Sequence, residues 1–363
     1  MAKRVGVDKW LFGVVLLLVL FGLVMVFSAS AVLAQAQYGT EYQFVARQGL
    51  FALLGMVALV ILMRVNYRKY NSPRVVFPAM AVTTLLLLSV FAMHALNNTH
   101  RWIKAGAFSF QPSELAKPMT VLFLAYFLQT RIHKMDDWKG TILRAAAPPL
   151  VFIALILKEP DLGTALVCAA VTMMMLYLAG LRLKYIGLAI LAASPVMYWM
   201  LFRVPWRRAR MIAFMNPEAD PRGTGFHIMQ SLIAVGTGGF RGLGLMEGRQ
   251  KLYFLPEAWT DFIFANISEE LGLLGALALV ALFVVFGYRG MRAAYLSTDP
   301  FARFLAFGLT SAILIQAFFN ISVALALVPT KGITLPFISF GGTSIFFTLA
   351  GMGVLLNLTR EID

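Results

Sequence analysis

Residues 11–34 read LFGVVLLLVLFGLVMVFSASAVLA and contain no charged side chain. A helix needs about 20 mostly apolar residues to cross the hydrocarbon core of a bilayer. Lys3 and Arg4 precede the stretch and small residues end it, as in a cleavable signal peptide. Its apolar part is nevertheless longer than the roughly 7–15 residues of a signal h-region. The stretch is therefore predicted to be a retained transmembrane helix.

The composition of the whole chain agrees with a membrane fold. Hydrophobic residues make up 60% of the 363 residues, charged residues 13%, and the mean hydropathy is +0.78. A soluble domain carries about 25% charged residues. The formal net charge of +14 does not indicate nucleic-acid binding, because the basic residues lie in short runs between apolar stretches. Such runs are typical of the cytoplasmic loops of a membrane protein.

Ten stretches are long and apolar enough to be predicted as spans, which makes residues 1–363 one all-α polytopic transmembrane domain. Two of the ten have weak signals, since the fifth contains Arg144 with Pro148 and Pro149 and the tenth is short. The predicted spans are 11–34, 49–65, 75–95, 113–129, 141–157, 162–181, 185–201, 261–288, 301–328 and 344–358.

The basic residues predict that both termini are cytoplasmic. With the N-terminus inside, the cytoplasmic segments hold more than half of the 31 lysine and arginine residues, and the short outer loops hold few. Short loops determine orientation, whereas long loops are translocated largely regardless of charge. The long loop 202–260, between the seventh and eighth spans, is therefore predicted to be extracytoplasmic. Within it, 206–214 is amphipathic and predicts an interfacial helix, and 226–235 is apolar enough to enter the bilayer.

Ionisable residues in or beside a span are functional candidates by default. Here they collect at the predicted outer ends of the fourth, sixth and eighth spans, on the side of the long loop. These residues are Glu114, Lys117, Glu159, Asp161, Glu257 and Asp261, with Glu269 and Glu270 deeper in the eighth span.

Each of these residues also has a purely structural interpretation. Asp261 precedes an apolar helix, where aspartate is favoured as a cap, and Glu114 and Lys117 are spaced to form a neutralised ion pair. Asp161 follows Pro160, as in a turn and helix cap. The four histidines (His94, His100, His133 and His227) have no metal-ligand spacing. The residues alone indicate an acidic pocket below arginines at the outer leaflet, suited to an anionic lipid-linked substrate, and leave enzyme or transporter open.

At these positions the sequence resembles the SEDS family of shape, elongation, division and sporulation proteins, the RodA, FtsW and SpoVE family. The matching strings are collinear and extend through the chain. They cover 22–30, 101–103, 110–117, 159–165, 216–225, 230–234, 255–265, 269–272 and 336–344. The arginine cluster at 206–210 favours the division type, FtsW, over the elongation type, RodA.

The resemblance implies a peptidoglycan glycosyltransferase that polymerises lipid II at the outer face of the bacterial inner membrane. The family's essential aspartate falls on Asp261, implied here as general base of an inverting displacement. Four basic residues are candidates for holding the diphosphate: Arg101, Arg208, Arg210 and Lys251. The other candidates for binding substrate or shaping the cavity are Glu114, Lys117, Asp161, Gln230, Glu257, Ser339 and Ser344.

The resemblance also implies partners, and two other functions remain open. The implied partner is a class B penicillin-binding protein, within the division or elongation machinery. A divalent cation, Mg²⁺ or Mn²⁺, could assist, but the sequence has no dedicated ligand set. The alternatives are a lipid II flippase and a non-catalytic scaffold. Trp259 and Phe340 depart from the family pattern, which commonly has histidine and tyrosine there, and Met246 and Glu247 replace commoner glycine or serine.

Overall fold

The computed structural model describes residues 6–93, 101–105, 108–221 and 223–361, which are mainly helical. These ranges contain one two-stranded antiparallel sheet, formed by β1 (Ile103–Ala105) and β2 (Phe108–Phe110). The α-helices within the described ranges are α1 (Lys9–Tyr38), α2 (Gln43–Arg64), α3 (Pro73–Ser89), α4 (Pro112–Leu128), α5 (Leu143–Lys158), α6 (Leu162–Leu178), α7 (Leu183–Phe202), α8 (Pro205–Met215), α9 (Phe226–Gly238), α10 (Ile263–Leu296), α11 (Pro300–Ala324) and α12 (Gly342–Leu358).

Each of the ten predicted spans coincides with one of these helices, which confirms the polytopic all-α fold. Seven helices are long and apolar enough to cross a membrane by length and composition: α1, α2, α7, α10, α11, α3 with the helical turn that continues it to Ala92, and α5 with the helical turn that begins at Trp138. Two shorter apolar helices, α6 and α12, match the sixth and tenth predictions. The remaining span is α4, which carries Glu114 and Lys117 in its first turns.

The two ends of the chain meet at one end of the bundle. The Asp8 N–H donates to Thr359 Oγ1 (3.1 Å), and the Asp8 carboxylate pairs with Arg289 Nη2 at 2.6 Å. An even number of spans requires this arrangement. The positively charged segments assign that end to the cytoplasm, so the opposite end faces outward.

Small residues let the helices of the bundle approach closely. A Cβ placed on Gly353 of α12 would lie 2.5 Å from the Leu59 carbonyl oxygen of α2, and one on Gly55 would meet Leu349 of α12. Close packing at small residues is the usual basis of helix association in membranes, where lipid and leucine are equally apolar. By contrast, α7 has no buried residue, so its apolar side chains are left to face lipid.

The eighth span differs from the sequence prediction of a helix through 261–288. Helix α10 begins at Ile263, and at Gly272 the backbone leaves helical geometry with φ 64° and ψ −165°, a conformation that glycine adopts readily. The loop after α9 bonds to the backbone groups that the break leaves without a partner in the helix. The Leu273 N–H donates to the Gly239 carbonyl (2.9 Å), and the Leu243 N–H donates to the Glu269 carbonyl (3.0 Å). A broken helix is tolerated at membrane depth only when its backbone groups are satisfied in this way.

Two α-helices occupy the described part of the segment 202–260, at the amphipathic and apolar pieces expected to form helices there. In helix α8 the buried residues are Arg207 and Ala213. Helix α9 packs on α10 through a buried face of Ile228, Ser231 and Ala234. The segment therefore lies against the outer half of the bundle and brings its arginines beside the ends of the spans.

Candidate active site

A cavity of about 630 Å³ opens at the outer end of the bundle. The first turns of α4, α6 and α12 and the loops before α10 and α12 form its walls. Seven of the residues expected at the site lie there: Arg101, Glu114, Lys117, Asp161, Glu257, Asp261 and Ser344. The cavity also includes Arg47, Ser109, Gln111, Thr164, Gln316, Gly332 and Thr334.

Asp261 lies at this cavity in the loop immediately before α10. The helix-cap interpretation is wrong, because Phe262 is the N-cap residue and makes no side-chain capping bond. Among the described residues, none donates a hydrogen bond to the Asp261 carboxylate, whose oxygens are left open to the cavity. Burial raises the pKa of Asp261 to about 7. The charges of Glu257 and Asp161 contribute to this rise in pKa, and those of Arg210 and Arg101 oppose it.

Glu114 and Lys117 form the predicted ion pair, with Nζ 2.7 Å from Oε2 and both side chains buried. Lys117 Nζ also donates to Gln316 Oε1 of α11 at 2.6 Å. The pair thus neutralises itself in the cavity wall and links α4 to α11. A desolvated charge needs such partners.

Asp161 caps α6, as its turn context predicts. Its carboxylate accepts hydrogen bonds from Thr164 N–H (3.1 Å), Thr164 Oγ1 (2.9 Å) and Gln111 Nε2 (3.1 Å). These three bonds hold the Asp161 carboxylate in place in the cavity wall. Glu257 is exposed in the cavity mouth and accepts a bond from Thr260 Oγ1 (2.9 Å). Asp261 is therefore the cavity acid least engaged by hydrogen bonds from described residues.

Cationic side chains collect on one side of Asp261. Arg101 donates to the carbonyl oxygens of Glu159 (3.0 Å) and Pro160, which fixes it at the rim. Arg207 and Arg210 both lie over the Trp206 ring, at 5.1 and 5.2 Å from its centroid. Burial and the charge of Arg101 lower the pKa of Arg210, and the charge of Asp261 raises it.

Lys331 joins this cationic group from the loop between α11 and α12. Burial, together with the neighbouring charges of Arg210 and Arg207, lowers its pKa to about 8. Like charges brought together without an anion are costly. Arg207, Arg210 and Lys331, called here the cationic cluster, lie beside the cavity without lining it, and their mutual repulsion favours an anion near them.

Five expected site residues do not line the cavity: Arg210, described above, and Lys251, Ser339, Gln230 and Arg208. Lys251 pairs with the buried carboxylate of Glu270 (2.7 Å) and donates to Ser28 Oγ (3.0 Å), so its ammonium does not reach a substrate diphosphate. Ser339 is buried, and its hydroxyl bonds to the backbone groups of Leu335 and Thr260. Gln230 lies on α9, and Arg208 is exposed on α8; neither lines the cavity.

Sequence reasoning missed Arg47, Gln316, Gly332 and Lys331. Arg47 and Lys331 were counted only as outer-loop charges, although each is a lone cation beside a predicted span. Gln316 lies inside a span, where any polar side chain is a signal. No sequence pattern marked Gly332, because its closeness to Asp261 depends on the fold. A Cβ at position 332 would lie 2.9 Å from Asp261 Oδ2.

Two of the departures from the family pattern, Trp259 and Phe340, meet in one aromatic wall. Phe44 contacts Trp259 (ring centroids 5.6 Å apart) and Phe340 (5.2 Å). The Phe340 N–H donates to the Trp259 carbonyl at 2.9 Å. Neither ring supplies an acid or a base, so the carboxylate and the cations must provide the chemistry of the cavity.

The cofactor expectation receives no support from side-chain clustering. In the ranges that the structure describes, no three or more histidine, cysteine, aspartate or glutamate side chains are grouped to hold a metal ion. His94 and His100 lie outside those ranges.

Fold and cavity together define a class: a multi-pass membrane protein with an acid and a cationic cluster at its outer face. A family model described as "Cell cycle protein", that of FtsW, RodA and SpoVE, matches residues 8–363. The chain therefore belongs to this cell cycle protein family, as its motifs indicated.

The chain is similar to relatives of known name over nearly its full length. The chain is 42% identical to a probable peptidoglycan glycosyltransferase FtsW of Geobacter metallireducens, covering 94% of this chain and 92% of the relative. It is 38% identical to stage V sporulation protein E of Bacillus subtilis, covering 99% and 98%.

Two solved structures share the fold. A chain from a peptidoglycan synthase complex, in a study of how polymerization and crosslinking are coordinated, matches with a TM-score of 0.80 at 27% identity, covering 98% of this chain and 99% of that one. The rod shape determining protein RodA of Thermus thermophilus matches with a TM-score of 0.72 at 25% identity, covering 98% of both chains.

Proposed function

We propose that this protein is a peptidoglycan glycosyltransferase that polymerises lipid II at the outer face of the bacterial inner membrane. The observation that carries the proposal is the Asp261 carboxylate, open to the outer cavity and flanked by the cationic cluster. The names of the FtsW and synthase-complex relatives support the same reaction. A disaccharide on a lipid diphosphate supplies both the hydroxyl and the anion that such a site would receive.

The reaction is an inverting displacement in one step. Asp261 takes the proton of the acceptor sugar hydroxyl as the oxygen attacks the anomeric carbon of the donor. The bond from that carbon to the diphosphate oxygen breaks, and the lipid diphosphate leaves with the bonding electron pair. Because an α-linked diphosphate becomes a β-1,4 glycoside, a single displacement suffices and a covalent enzyme intermediate is unnecessary.

Arg207, Arg210 and Lys331 would stabilise the charge that develops on the departing diphosphate. Preorganised cations act most strongly on charge that appears in the transition state, and guanidinium groups suit bidentate phosphate contacts. Arg101 adds positive charge at the rim. Lys331 and Arg207 thus replace Lys251 and Arg208 among the candidates for this role.

The surrounding residues would shape the cavity and its position in the membrane. Glu114 with Lys117, and Asp161 with Thr164, hold the walls by contacts within the protein. Helix α8 would lie in the headgroup layer, with Trp206 and the arginines at the interface. A class B penicillin-binding protein is the proposed partner, and division is favoured over elongation because an FtsW relative is 42% identical and the RodA structure 25%.

A flippase and a scaffold are the other candidate functions. A flippase needs a polar path from both faces, whereas the acids and cations described here gather at the outer end. A scaffold would not need the open carboxylate of Asp261. Lipid II polymerisation by the purified protein with its partner tests the proposal, and a rate independent of this chain would contradict it.

The activity should fall as the pH drops through the pKa of Asp261, which lies at about 7. A general base must be deprotonated, so the rate rises with pH until the carboxylate is fully ionised. The Glu257→Gln substitution removes a charge that raises this pKa, and it should move the acid limb to lower pH. The check is kcat/KM for lipid II across that range. A flat profile in both proteins would argue against Asp261 as the base.

Lys331→Met should lower kcat on the order of 10- to 100-fold, because one preorganised charge on the leaving group is lost while the arginines remain. The side chain keeps a similar length, so packing changes little. Lys158→Met is the matched control: Lys158 also lies at the outer end, but its ammonium rests on the Phe91 ring, apart from the cationic cluster. Equal rates for both variants would remove Lys331 from the site.

A further inference from the structure

Three consecutive carbonyl groups around Asp261 are held by groups on neighbouring elements. The Trp259 carbonyl accepts a bond from the Phe340 N–H (2.9 Å), the Thr260 carbonyl from Ser339 Oγ (2.6 Å), and the Asp261 carbonyl from Asn320 Nδ2 (2.8 Å). The last two belong to the peptide planes on either side of the Asp261 Cα. Because peptide units are planar, fixing both planes fixes φ and ψ of Asp261 and the direction of its Cβ.

Asn320 is fully buried on α11 and uses both amide hydrogens. Its second bond goes to the Ile333 carbonyl at 2.7 Å. Both partners are carbonyl oxygens, so the NH₂ end of the side chain must face them, and a leucine or aspartate there could donate to neither. Asn320 therefore ties the loop that carries Asp261 to the loop 325–341 that carries Gly332.

Ser339 makes a second link between the same two loops. Its hydroxyl donates to Thr260 and accepts from the Leu335 N–H (2.7 Å), so its one hydrogen and one lone pair serve backbone groups. Loop 325–341 is itself anchored to α11 by Gln316, whose Nε2 donates to the Thr334 carbonyl (2.8 Å). Gln316 and Asn320 are one helical turn apart and share a face. The frame around Asp261 thus rests on a spanning helix.

We propose that Asn320 and Ser339 are positioning residues that aim the Asp261 carboxylate through its two flanking peptide planes. Hydrogen bonds to the carboxylate itself would stabilise its charged form and lower its basicity. Orientation through the backbone avoids that cost and leaves both oxygens for the acceptor hydroxyl. The inference rests on the proposed role of Asp261 as general base, since only a reacting group needs this precision.

The test measures kcat and KM for lipid II in the full-length protein with its partner. Asn320→Leu and Ser339→Ala should each lower kcat on the order of 10- to 100-fold, the expected result of a misplaced reacting group. KM should stay nearly unchanged, because the cationic cluster is intact. Ser339→Thr keeps the hydroxyl and should retain most of the kcat that Ser339→Ala loses.

The matched control is Asn357→Leu at the cytoplasmic end of the bundle. Asn357 is also buried, donates to the Met63 carbonyl (2.7 Å) and accepts from the Tyr67 N–H (3.0 Å). Its loss should affect thermal stability alone, with wild-type kcat per mole of monodisperse protein.

The inference is overturned if Asn320→Leu and Ser339→Ala keep wild-type kcat, or if Asn357→Leu loses as much kcat as they do. Asp261→Asn separates these outcomes from a failure of the proposed function. If that variant is inactive while the positioning variants are fully active, only the positioning role fails. If it is as active as the wild type, the general-base role itself is wrong.

Discussion

Asp261→Asn is expected to lower the initial rate of lipid II polymerisation about 100- to 10,000-fold, the range that general-base catalysis contributes. The amide has the size of the carboxylate but cannot accept the proton of the acceptor hydroxyl. No described residue donates a hydrogen bond to the Asp261 carboxylate, so the substitution leaves no protein donor unpaired. The variant should therefore fold and bind substrate as the wild type does.

Glu257→Gln is the matched control for this variant. It removes one negative charge from the same cavity, but its carboxylate is exposed and engaged by Thr260. We expect it to keep most of the activity above the pKa of Asp261. If both substitutions reduced the rate equally, cavity charge rather than a specific base would be the important property.

Lys251→Met is expected to destabilise the folded protein by about 3–5 kcal/mol, because it leaves the Glu270 carboxylate buried without its cation. The two side chains are 4% and 0% exposed. Glu270 also accepts bonds from Ser28 Oγ (2.7 Å) and the Met246 N–H (2.9 Å). The loop before Asp261 is thereby fixed to α1 and α10, and it should loosen together with the ion pair. Thermal unfolding in detergent, with denaturant series where reversible, measures the effect.

Two comparisons make the stability prediction specific. Arg182→Met breaks an ion pair whose side chains are 61% and 81% exposed, and exposed pairs contribute only about 0.2–1 kcal/mol. Glu270→Gln in the Lys251→Met background removes the uncompensated charge and should restore part of the stability. A Lys251→Met protein no less stable than the Arg182→Met protein would show that the buried pair has no such role.

The sequence was sufficient for the ten spans, because an apolar run of about 20 residues depends on the bilayer and not on distant contacts. It was also sufficient for the Glu114–Lys117 pair and the Asp161 cap, which are local. Asp261 was singled out by its place at the outer end of a span and by the family motif. Each of these signals is contained within a few neighbouring residues.

The features that the sequence did not predict depend on contacts between distant segments. The break at Gly272 is tolerated because the loop 239–244 completes its hydrogen bonds, and neither segment indicates the other. Lys251 had the charge to bind diphosphate, but the fold brings it to Glu270. In the sequence Lys331 is a single cation in an outer loop, whereas in the structure it lies near Arg207 and Arg210. Asn320 supports Asp261 from another helix, which no local pattern encodes.

The most direct measurement is glycan-strand formation from lipid II in detergent micelles, with the purified protein and a partner free of polymerase activity. Micelles have no two faces, so transport of lipid II cannot be required for product. We expect strands with the wild-type protein, and almost none with Asp261→Asn or when the protein is omitted. Equal strand yield from all three reactions would contradict the assignment of this chain as the polymerase.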